Sequence, residues 1–357
     1  MAVQTPVVDT DKLMAFLGQV IGELGATVNA GLIVVGDRLG LYRAMAGAGP
    51  ITSTELADKT GTAERYVREW LNAQAAGGYV TYDPSTQRYE LPAEHAMALA
   101  DENSPAFVCG AFELATATLK AEPHIEDIFK SGAGFGWHEH DPGVPTGCER
   151  FFRPGYNANL VSAWIPALEG VEEKLRVGAK VADVGCGLGA SSRLMAGAYP
   201  RSRITGFDYH QESIDQARQK SKEAGLADRL HYEVAPAASF PGTGYDLVTM
   251  FDCLHDMGDP VGAARHVLKA LAADGTWLIV EPIAGDAVEQ NLNPVGRAYY
   301  AFSTFLCTPS SLSQEVGLAL GAQAGQKRIH DVVTAAGFTR FRRVAETPFN
   351  LVYEARP

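Results

Sequence analysis

The second half of the chain alternates short apolar segments with amphipathic ones, and this pattern restricts the fold more than any other feature. Apolar runs such as KVADVG, RITGFD and YDLVTMF alternate with segments of helical spacing over 190–198, 212–224 and 260–272. Buried strands that alternate with helices of this length predict an α/β fold with a doubly wound parallel sheet. The segments FRRVAETPF and NLVYEA then follow each other directly, which indicates a final antiparallel pair of strands.

A glycine-rich turn after the first of these strands predicts a cofactor site. In VADVGCGLGASS, residues 181–192, the strand runs into Gly185, Gly187 and Gly189 before a helix begins. Glycine lets backbone amides approach a ligand that a side chain would exclude. Nicotinamide, flavin and methyl-donor cofactors fit such a turn equally. Asp183 favours the methyl donor, because a carboxylate repels a pyrophosphate, whereas a sulfonium amino acid offers an ammonium group.

An acidic residue ends the second predicted strand at a distance suited to ribose recognition. Asp208, in ITGFDYHQES, comes 19 residues after Gly189. A carboxylate at this position accepts hydrogen bonds from both ribose hydroxyls. Tyr209 beside it offers a flat surface for adenine.

With these motifs, residues 178–357 resemble the class I S-adenosylmethionine methyltransferases. Nearly the whole chain is similar to plant-type small-molecule O-methyltransferases and their bacterial relatives, which carry an N-terminal winged helix. The resemblance implies a Rossmann-like seven-stranded sheet with a terminal antiparallel hairpin, and S-adenosylmethionine as the cofactor, released as S-adenosylhomocysteine. The residues it implies for cofactor binding are Asp183, Gly185, Cys186, Gly187, Gly189, Asp208, Tyr209, Ala237, Phe251 and Asp252.

One position departs from the family pattern around adenine. Pro236 stands where the family usually presents an acidic residue to the adenine amino group. Adenine recognition would then depend on backbone near Ala237, on a polar neighbour such as Ser239, and on stacking.

The fourth predicted strand ends in MFDCLHDMGDP, and the resemblance assigns catalytic residues there. The sequence FDCL differs from the Asn-Pro-Pro-Tyr type typical of enzymes that methylate base amines or glutamine amides. His255 and Asp256 resemble the His-Asp pair of plant-type O-methyltransferases, whose histidine takes the acceptor proton. An unperturbed imidazole titrates near pH 6.5, so we expect a neutral, basic His255. Glu281 matches a family glutamate that orients this histidine, whereas Gln326 replaces a second one; alternatively, His255 only caps or packs beside the next helix.

Aromatic residues gather in two places that we expect to lie over the cofactor crevice. Residues 131–155 hold six glycines and three prolines among aromatic side chains, which predicts a lid or, alternatively, a plain surface loop. A second group follows the fifth strand. Insertions beyond the carboxyl ends of parallel strands cover the crevice. The predicted acceptor-pocket residues are Phe135, Trp137, Tyr156, Trp164, Tyr299 and Phe302.

Two groups of residues resemble metal sites only loosely. The segment WHEHD, residues 137–141, has Cys148 nearby, and Cys148, Cys253 and Cys307 could form a trio for a soft element such as trivalent arsenic. Adjacent loop histidines usually face solvent, and the family chemistry needs no metal. We therefore expect no metal.

The N-terminal part predicts helices and a winged helix. An apolar stripe at helical spacing runs from Leu13 to Val28, a second apolar stretch reaches Met45, and we expect these helices to join two subunits. Residues 50–92 indicate a helix-turn-helix followed by a two-stranded wing. This stretch holds four basic and six acidic residues, whereas a DNA reader needs a basic recognition helix.

Composition limits the partners and the compartment. The formal net charge of −12 over 357 residues disfavours nucleic acid. The five cysteines form no CxxC pair, which suits a reducing compartment. The sequence also shows no secretory signal and no run of about 20 apolar residues. We expect a cytoplasmic homodimer that binds neither nucleic acid nor membrane.

The predicted organisation has three parts: a helical and winged-helix dimerisation domain (1–95), a helical connector with a glycine- and aromatic-rich lid (96–175), and a methyltransferase domain (176–357). The expected function is methyl transfer from S-adenosylmethionine to a small-molecule hydroxyl. Two alternatives stay open: a DNA-binding regulator that senses S-adenosylmethionine, and an enzyme that methylates nitrogen, sulfur or carbon. The sequence does not identify the acceptor.

Overall fold

The structure, a computed structural model, describes residues 8–357. The chain divides into two compact units, with the boundary between Thr116 and Ala117. The sequence-based division into three parts, with boundaries after residues 95 and 175, was drawn from the expected role of each part, and it stays a prediction.

The first unit consists of helices and a small wing. Helix α1 is capped by the Asp9 side chain, which accepts hydrogen bonds from two backbone N–H groups of the first turn. Thr52 and Glu55 form a capping box at the start of α3. Strands β1 and β2 pair antiparallel and complete the predicted winged helix. The elements are α1 (Thr10–Arg38), α2 (Leu41–Met45), α3 (Ser53–Thr60), α4 (Glu64–Ala76), β1 (Thr81–Asp83), β2 (Arg88–Glu90) and α5 (Ala93–Leu99), and α6 (Cys109–Thr118) crosses the boundary.

Helix α1 leaves most of its apolar side chains exposed. The large exposed ones are Leu13, Met14, Phe16, Leu17, Val20, Ile21, Leu24 and Val28. By length and composition alone, α1 is also long and apolar enough to cross a membrane. The sequence led us to expect no such segment. In α1 the apolar residues are interspersed with polar ones, so they form no continuous apolar run. The buried core helix of a soluble protein and a signal sequence near an N-terminus meet the same criterion.

The second unit is built on the predicted seven-stranded sheet. Its strand order is β5-β4-β3-β6-β7-β9-β8; the first five strands run parallel, and β9 pairs antiparallel with both β7 and β8. The fold prediction, including the terminal hairpin, is confirmed. The strands are β3 (Lys180–Val184), β4 (Arg203–Asp208), β5 (Leu230–Val234), β6 (Tyr245–Phe251), β7 (Leu271–Pro282), β8 (Arg340–Glu346) and β9 (Asn350–Arg356).

Both faces of this sheet are buried. Successive strand residues alternate between two hydrophobic cores, since Val181 and Leu247 belong to one core and their neighbours Ala182 and Val248 to the other. Helices therefore cover both faces, as a doubly wound sheet requires. The helices of this unit are α7 (Glu122–Ser131), α8 (Gly143–Asn159), α9 (Val171–Val177), α10 (Ala190–Ala198), α11 (Gln211–Glu223), α12 (Pro260–Ala270), α13 (Pro294–Phe302), α14 (Thr308–Leu312) and α15 (Gly325–Ala336).

The segment predicted as a glycine-rich lid loop is largely helical. Helix α8 begins at Gly143 and continues directly into a π-helical turn, Leu160–Trp164. Pro145 lies in the first turn of α8, where a backbone N–H has no partner within the helix, so its ring costs little. Pro154 lies inside the helix. The glycine and proline content was therefore a misleading signal for the second half of 131–155.

Candidate active site

A cavity of about 440 Å³ opens at the carboxyl ends of β3, β4 and β6, where doubly wound sheets bind their ligands. All of its walls belong to the second unit. The lining residues are Trp137, Pro145, Cys148, Glu149, Phe152, Tyr156, Gly185, Cys186, Gly187, Leu188, Ala190, Ser191, Asp208, Tyr209, Ser213, Ala235, Pro236, Ala237, Phe251, Asp252, Cys253, Asp256, Met257, Ser310 and Gln314.

The glycine turn forms one wall of the cavity and is fixed by the neighbouring strand. The backbone N–H groups of Gly185 and Cys186 both donate to the Phe207 carbonyl, at 2.7 and 3.1 Å. Gly189 has φ of +75°, and a Cβ there would lie 2.2 Å from the Tyr232 hydroxyl oxygen. A side chain is excluded at this position both by backbone strain and by space.

Asp208 lies at the cavity wall and braces the turn. Its Oδ2 accepts a hydrogen bond from Gly187 N–H at 2.9 Å, and its Oδ1 accepts one from His210 N–H at 2.9 Å. Burial raises the pKa of Asp208, and these backbone hydrogen bonds oppose the rise. Each carboxylate oxygen retains acceptor capacity toward the cavity. Tyr209, Pro236 and Ala237 line the wall beside it, whereas Ser239 is exposed outside it.

Asp183 does not face the cavity, contrary to the sequence-based expectation. It is fully buried. Its carboxylate accepts hydrogen bonds from the hydroxyls of Ser191 (2.7 Å), Ser192 (2.5 Å) and Thr249 (2.8 Å). The side chain therefore joins β3 and β6 to the start of α10. Asp183 supports the turn from below, and an ammonium group in the cavity has to find another carboxylate.

His255 lies just behind the opposite wall of the cavity, between two carboxylates. Its Nδ1 is 2.5 Å from Glu281 Oε2, and its Nε2 is 3.1 Å from Asp256 Oδ1. Glu281 also accepts the Leu254 N–H through Oε1, at 3.0 Å. Asp256 lines the cavity and His255 does not. The second carboxylate beside this histidine thus comes from Asp256 and not from position 326.

The charge of His255 differs from the expectation of a neutral imidazole. Burial lowers the pKa of this side chain, but the carboxylates of Asp256 and Glu281 outweigh burial and raise the pKa well above its ordinary value of 6.5. These two carboxylates therefore favour the protonated ring over the neutral one.

Asp252 connects the sheet to α8 inside the cavity. It accepts hydrogen bonds from the Tyr156 hydroxyl at 2.8 Å and from Asn350 Nδ2 at 2.7 Å. Its φ of +51° turns the chain sharply after β6. Burial raises the pKa of Asp252 to about 8, with a further contribution from Glu281.

The predicted acceptor-pocket residues do not all reach the cavity. Trp137 and Tyr156 line it. Phe135 packs in a separate small cluster beside Ile125, and Trp164 lies in the core beneath the sheet. Tyr299 is buried and donates its hydroxyl hydrogen to the Phe349 carbonyl at 2.9 Å, and Phe302 is half-buried outside the lining.

Sequence reasoning missed most of the cavity wall that α8 provides. Pro145, Cys148, Glu149, Phe152 and Tyr156 all line the cavity. They are three or four residues apart, so they share one face of a helix. This spacing was visible in the sequence, but the glycine and proline content obscured it. Ser310 and Gln314, in and after α14, had no comparable local signal.

The structure arranges the histidines and cysteines differently from both metal sites considered in the sequence, the WHEHD segment with Cys148 and the three-cysteine group. His138 is exposed, whereas His140 is buried against Phe135, and burial lowers its pKa to about 4. The group whose ligand atoms lie within 4.8 Å of one another is His255, Asp256 and Cys307. A metal ligand has to be deprotonated, so an ion would first displace the imidazolium proton.

The fold and the glycine turn define a Rossmann-like domain of the class I methyltransferase type. Comparison with known families agrees: residues 182–277 match a family described as a methyltransferase domain, and residues 27–101 match the Rv2258c-like winged HTH domain. The chain therefore combines an N-terminal winged helix-turn-helix domain with a methyltransferase domain.

Curated relatives match part of the chain. The ubiquinone biosynthesis O-methyltransferase of Bordetella parapertussis is 35% identical over 176 residues, which cover 46% of this chain and 65% of the relative. The 27-O-demethylrifamycin SV methyltransferase of Amycolatopsis mediterranei is 29% identical over 135 residues, 36% of this chain and 49% of the relative. The matches thus span less than two-thirds of either relative.

Solved structures extend the likeness to almost the full length. Human N-acetylserotonin methyltransferase in complex with SAM has a TM-score of 0.71 at 15% identity, over 99% of both chains. Mitomycin 7-O-methyltransferase has a TM-score of 0.68 at 21% identity, over 98% of this chain and 100% of that one. At these identities the likeness establishes the fold.

Proposed function

We propose that this chain transfers a methyl group from S-adenosylmethionine to a hydroxyl group of a small, largely apolar molecule. The main support is one continuous cavity that connects the glycine turn and Asp208 to the aromatic face of α8 and to Asp256. A cavity of about 440 Å³ is of the size that proteins use for small ligands. The O-methyltransferase relatives favour a hydroxyl acceptor.

The turn side of the cavity fits the cofactor. Gly185 and Gly187 expose backbone without side chains, and Asp208 offers carboxylate oxygens of the kind that a ribose diol recognises. Tyr209, Pro236 and Ala237 provide flat and backbone surface for adenine. When bound, S-adenosylmethionine supplies an electrophilic methyl group on its sulfonium sulfur.

The α8 side of the cavity positions the acceptor. Phe152, Tyr156 and Phe251 present aromatic surface, and Asp256 is the acidic group nearest to His255. An acceptor hydroxyl would donate to Asp256, and the Asp256 carboxylate would take its proton while the methyl group leaves the sulfonium sulfur for the acceptor oxygen. His255 would hold Asp256 in place through Nε2, and Glu281 holds His255 through Nδ1. Orientation and exclusion of water contribute most of the rate, and proton removal adds to it.

Two measurements test this function. Calorimetry with S-adenosylhomocysteine tests the cofactor, and transfer of labelled methyl from S-adenosylmethionine to a panel of phenols, amines, thiols and carbon acids tests the acceptor class. The proposal expects binding and O-methylated products. Products methylated on nitrogen, sulfur or carbon would replace the hydroxyl assignment, and binding without turnover, together with a salt-dependent DNA shift, would favour a regulator.

We also propose that two copies associate through α1. This helix exposes Phe16, Ile21, Leu24 and Val28, which is a larger apolar stripe than a monomer usually leaves in water. Light scattering at micromolar concentration should give twice the chain mass. A monodisperse monomer would contradict the pairing, and association that requires lipid vesicles would identify α1 as a membrane-binding helix instead.

We further propose that the protein is cytoplasmic and does not bind nucleic acid. Arg65, Arg68 and Arg88 of the winged-helix region all pair with glutamates of the same region. These pairs leave little positive charge for a phosphate backbone. The five cysteines are free thiols, which suits a reducing compartment.

A further inference from the structure

Glu149 is a buried carboxylate at the cavity wall with one oxygen unsatisfied. It lies on α8, lines the cavity and is 9% exposed. Its Oε1 accepts a hydrogen bond from Arg193 Nη2 at 3.1 Å, and Lys220 Nζ lies 3.5 Å from the same atom. Its Oε2 has no hydrogen-bond partner, and Arg153 Nη1 is 3.7 Å away. A buried carboxylate oxygen without a hydrogen bond is costly, unless a ligand provides the donor.

The position of Glu149 identifies which end of the cavity it serves. Arg193 donates through Nη1 to the Leu188 carbonyl at 2.6 Å, so this arginine links Glu149 to the glycine turn. Leu188, Ala190 and Ser191 line the cavity on this side. Asp208 and Ala237, which suit adenosine, line the cavity beyond the ends of β4 and β5. Glu149 is therefore placed for the end of the ligand that lies over the turn.

The charges around Glu149 are complementary to a zwitterion. Two cationic side chains, Arg193 and Lys220, lie beside the one carboxylate of Glu149, so this group carries excess positive charge. That excess attracts a ligand carboxylate, while the unsatisfied Oε2 attracts an ammonium group. Two other acids lie close to the turn: Asp183 accepts from three hydroxyl donors, and Asp208 accepts from the backbone N–H groups of Gly187 and His210.

We propose that Glu149, with Arg193 and Lys220 beside it, binds the zwitterionic amino-acid end of S-adenosylmethionine. Glu149 Oε2 accepts a hydrogen bond from the α-ammonium group, and the cationic side chains attract the α-carboxylate. The inference rests on the proposed function, since it assigns a binding residue within that cofactor site. It moves the acidic partner of the ammonium from β3 to α8, outside the region that matches the methyltransferase domain family.

Three probes separate the parts of the ligand in the Glu149→Gln variant. S-Adenosylhomocysteine carries both charged groups, decarboxylated S-adenosylmethionine keeps only the amine, and 5′-methylthioadenosine lacks the whole amino-acid portion. Glutamine preserves the shape and can still accept from Arg193, but it removes the charge that binds ammonium. We expect the affinity for the first two probes to fall by about 10- to 100-fold, with no change for 5′-methylthioadenosine. Calorimetry measures all three.

A matched control is Glu172→Gln, which removes a helical glutamate paired with Arg176 away from the cavity. It should bind all three probes like the wild type, and thermal unfolding should show that both variants are folded. Unchanged affinity of folded Glu149→Gln for S-adenosylhomocysteine would overturn the inference. Equal weakening of 5′-methylthioadenosine would also overturn it, because Glu149 would then only shape the cavity. A wild-type protein that binds none of the probes would overturn the proposed cofactor itself.

Discussion

The two walls of the cavity differ in how the chain builds them. The sheet wall consists of residues that directly follow β3, β4, β5 and β6, so each lies within a few positions of a strand end. The helix wall consists of one face of α8 together with Ser310 and Gln314, contributed by segments far from the strands in sequence. Strand ends fix the sheet wall by local geometry, whereas tertiary packing fixes the helix wall. We therefore expect the largest functional losses from the sheet wall and graded losses from the helix wall.

The largest effect should follow removal of His255, behind the sheet wall. His255→Ala removes the side chain that lies between Glu281 and Asp256 and positions Asp256, the group that would take the acceptor proton. Turnover should fall by about two to four orders of magnitude, the usual contribution of acid–base assistance. Single-turnover kinetics measure the loss. S-Adenosylhomocysteine affinity is the control and should stay unchanged; wild-type turnover at neutral pH would return His255 to a packing role.

Asp208→Ala should produce the next largest effect and should act on binding. The change removes carboxylate oxygens suited to the ribose and two hydrogen bonds that brace Gly187 and His210. S-Adenosylhomocysteine affinity should fall by about 10- to 100-fold, as expected for hydrogen bonds to a charged group. Calorimetry on a folded variant checks this. Unchanged affinity would remove the ribose assignment from the end of β4.

The sheet wall was also the part that the sequence predicted well. Periodicity and the glycine turn placed α10 and the strand ends Asp208 and Phe251 correctly, because these depend on local patterns. Asp183 was misplaced because its strand position points into the core, where three hydroxyls meet it. The charge of His255 was missed because Glu281 approaches it from another strand. Such environments depend on contacts distant in sequence.

Asp252 tests the connection between the two walls, since it hydrogen bonds Tyr156 of α8. Its pKa is raised to about 8 by burial in the folded state, against about 3.9 in an unfolded chain. The folded state therefore binds more protons between these values, and this group makes the protein less stable as pH rises from about 4 to about 8. Asp252→Asn should gain stability relative to wild type over that interval.

Urea unfolding at pH 5, 6, 7 and 8 measures this difference for Asp252→Asn and wild type. The carbonyl oxygen of asparagine can still accept from Asn350 Nδ2, and its NH2 group can donate to the Tyr156 hydroxyl oxygen, so the connection can be preserved. Asp246→Asn, at the half-buried start of β6, is the matched control for an Asp-to-Asn change on the same strand. A constant difference between Asp252→Asn and wild type at every pH would mean that Asp252 titrates normally in the fold.

The smallest effect should come from the aromatic part of the helix wall. Phe152 lines the cavity and stacks on Tyr156, with ring centroids 6.1 Å apart and planes 11° from parallel. Phe152→Ala removes apolar surface that only the acceptor would contact, so the KM for the acceptor should rise by roughly 10-fold, in line with one aromatic contact. S-Adenosylhomocysteine affinity should not change. Phe151→Ala removes the adjacent ring, which packs toward Phe349 outside the cavity lining, and is the matched control. An equal rise in KM for both variants, or a loss of cofactor affinity in Phe152→Ala, would show that the helix wall does not select the acceptor independently of the sheet wall.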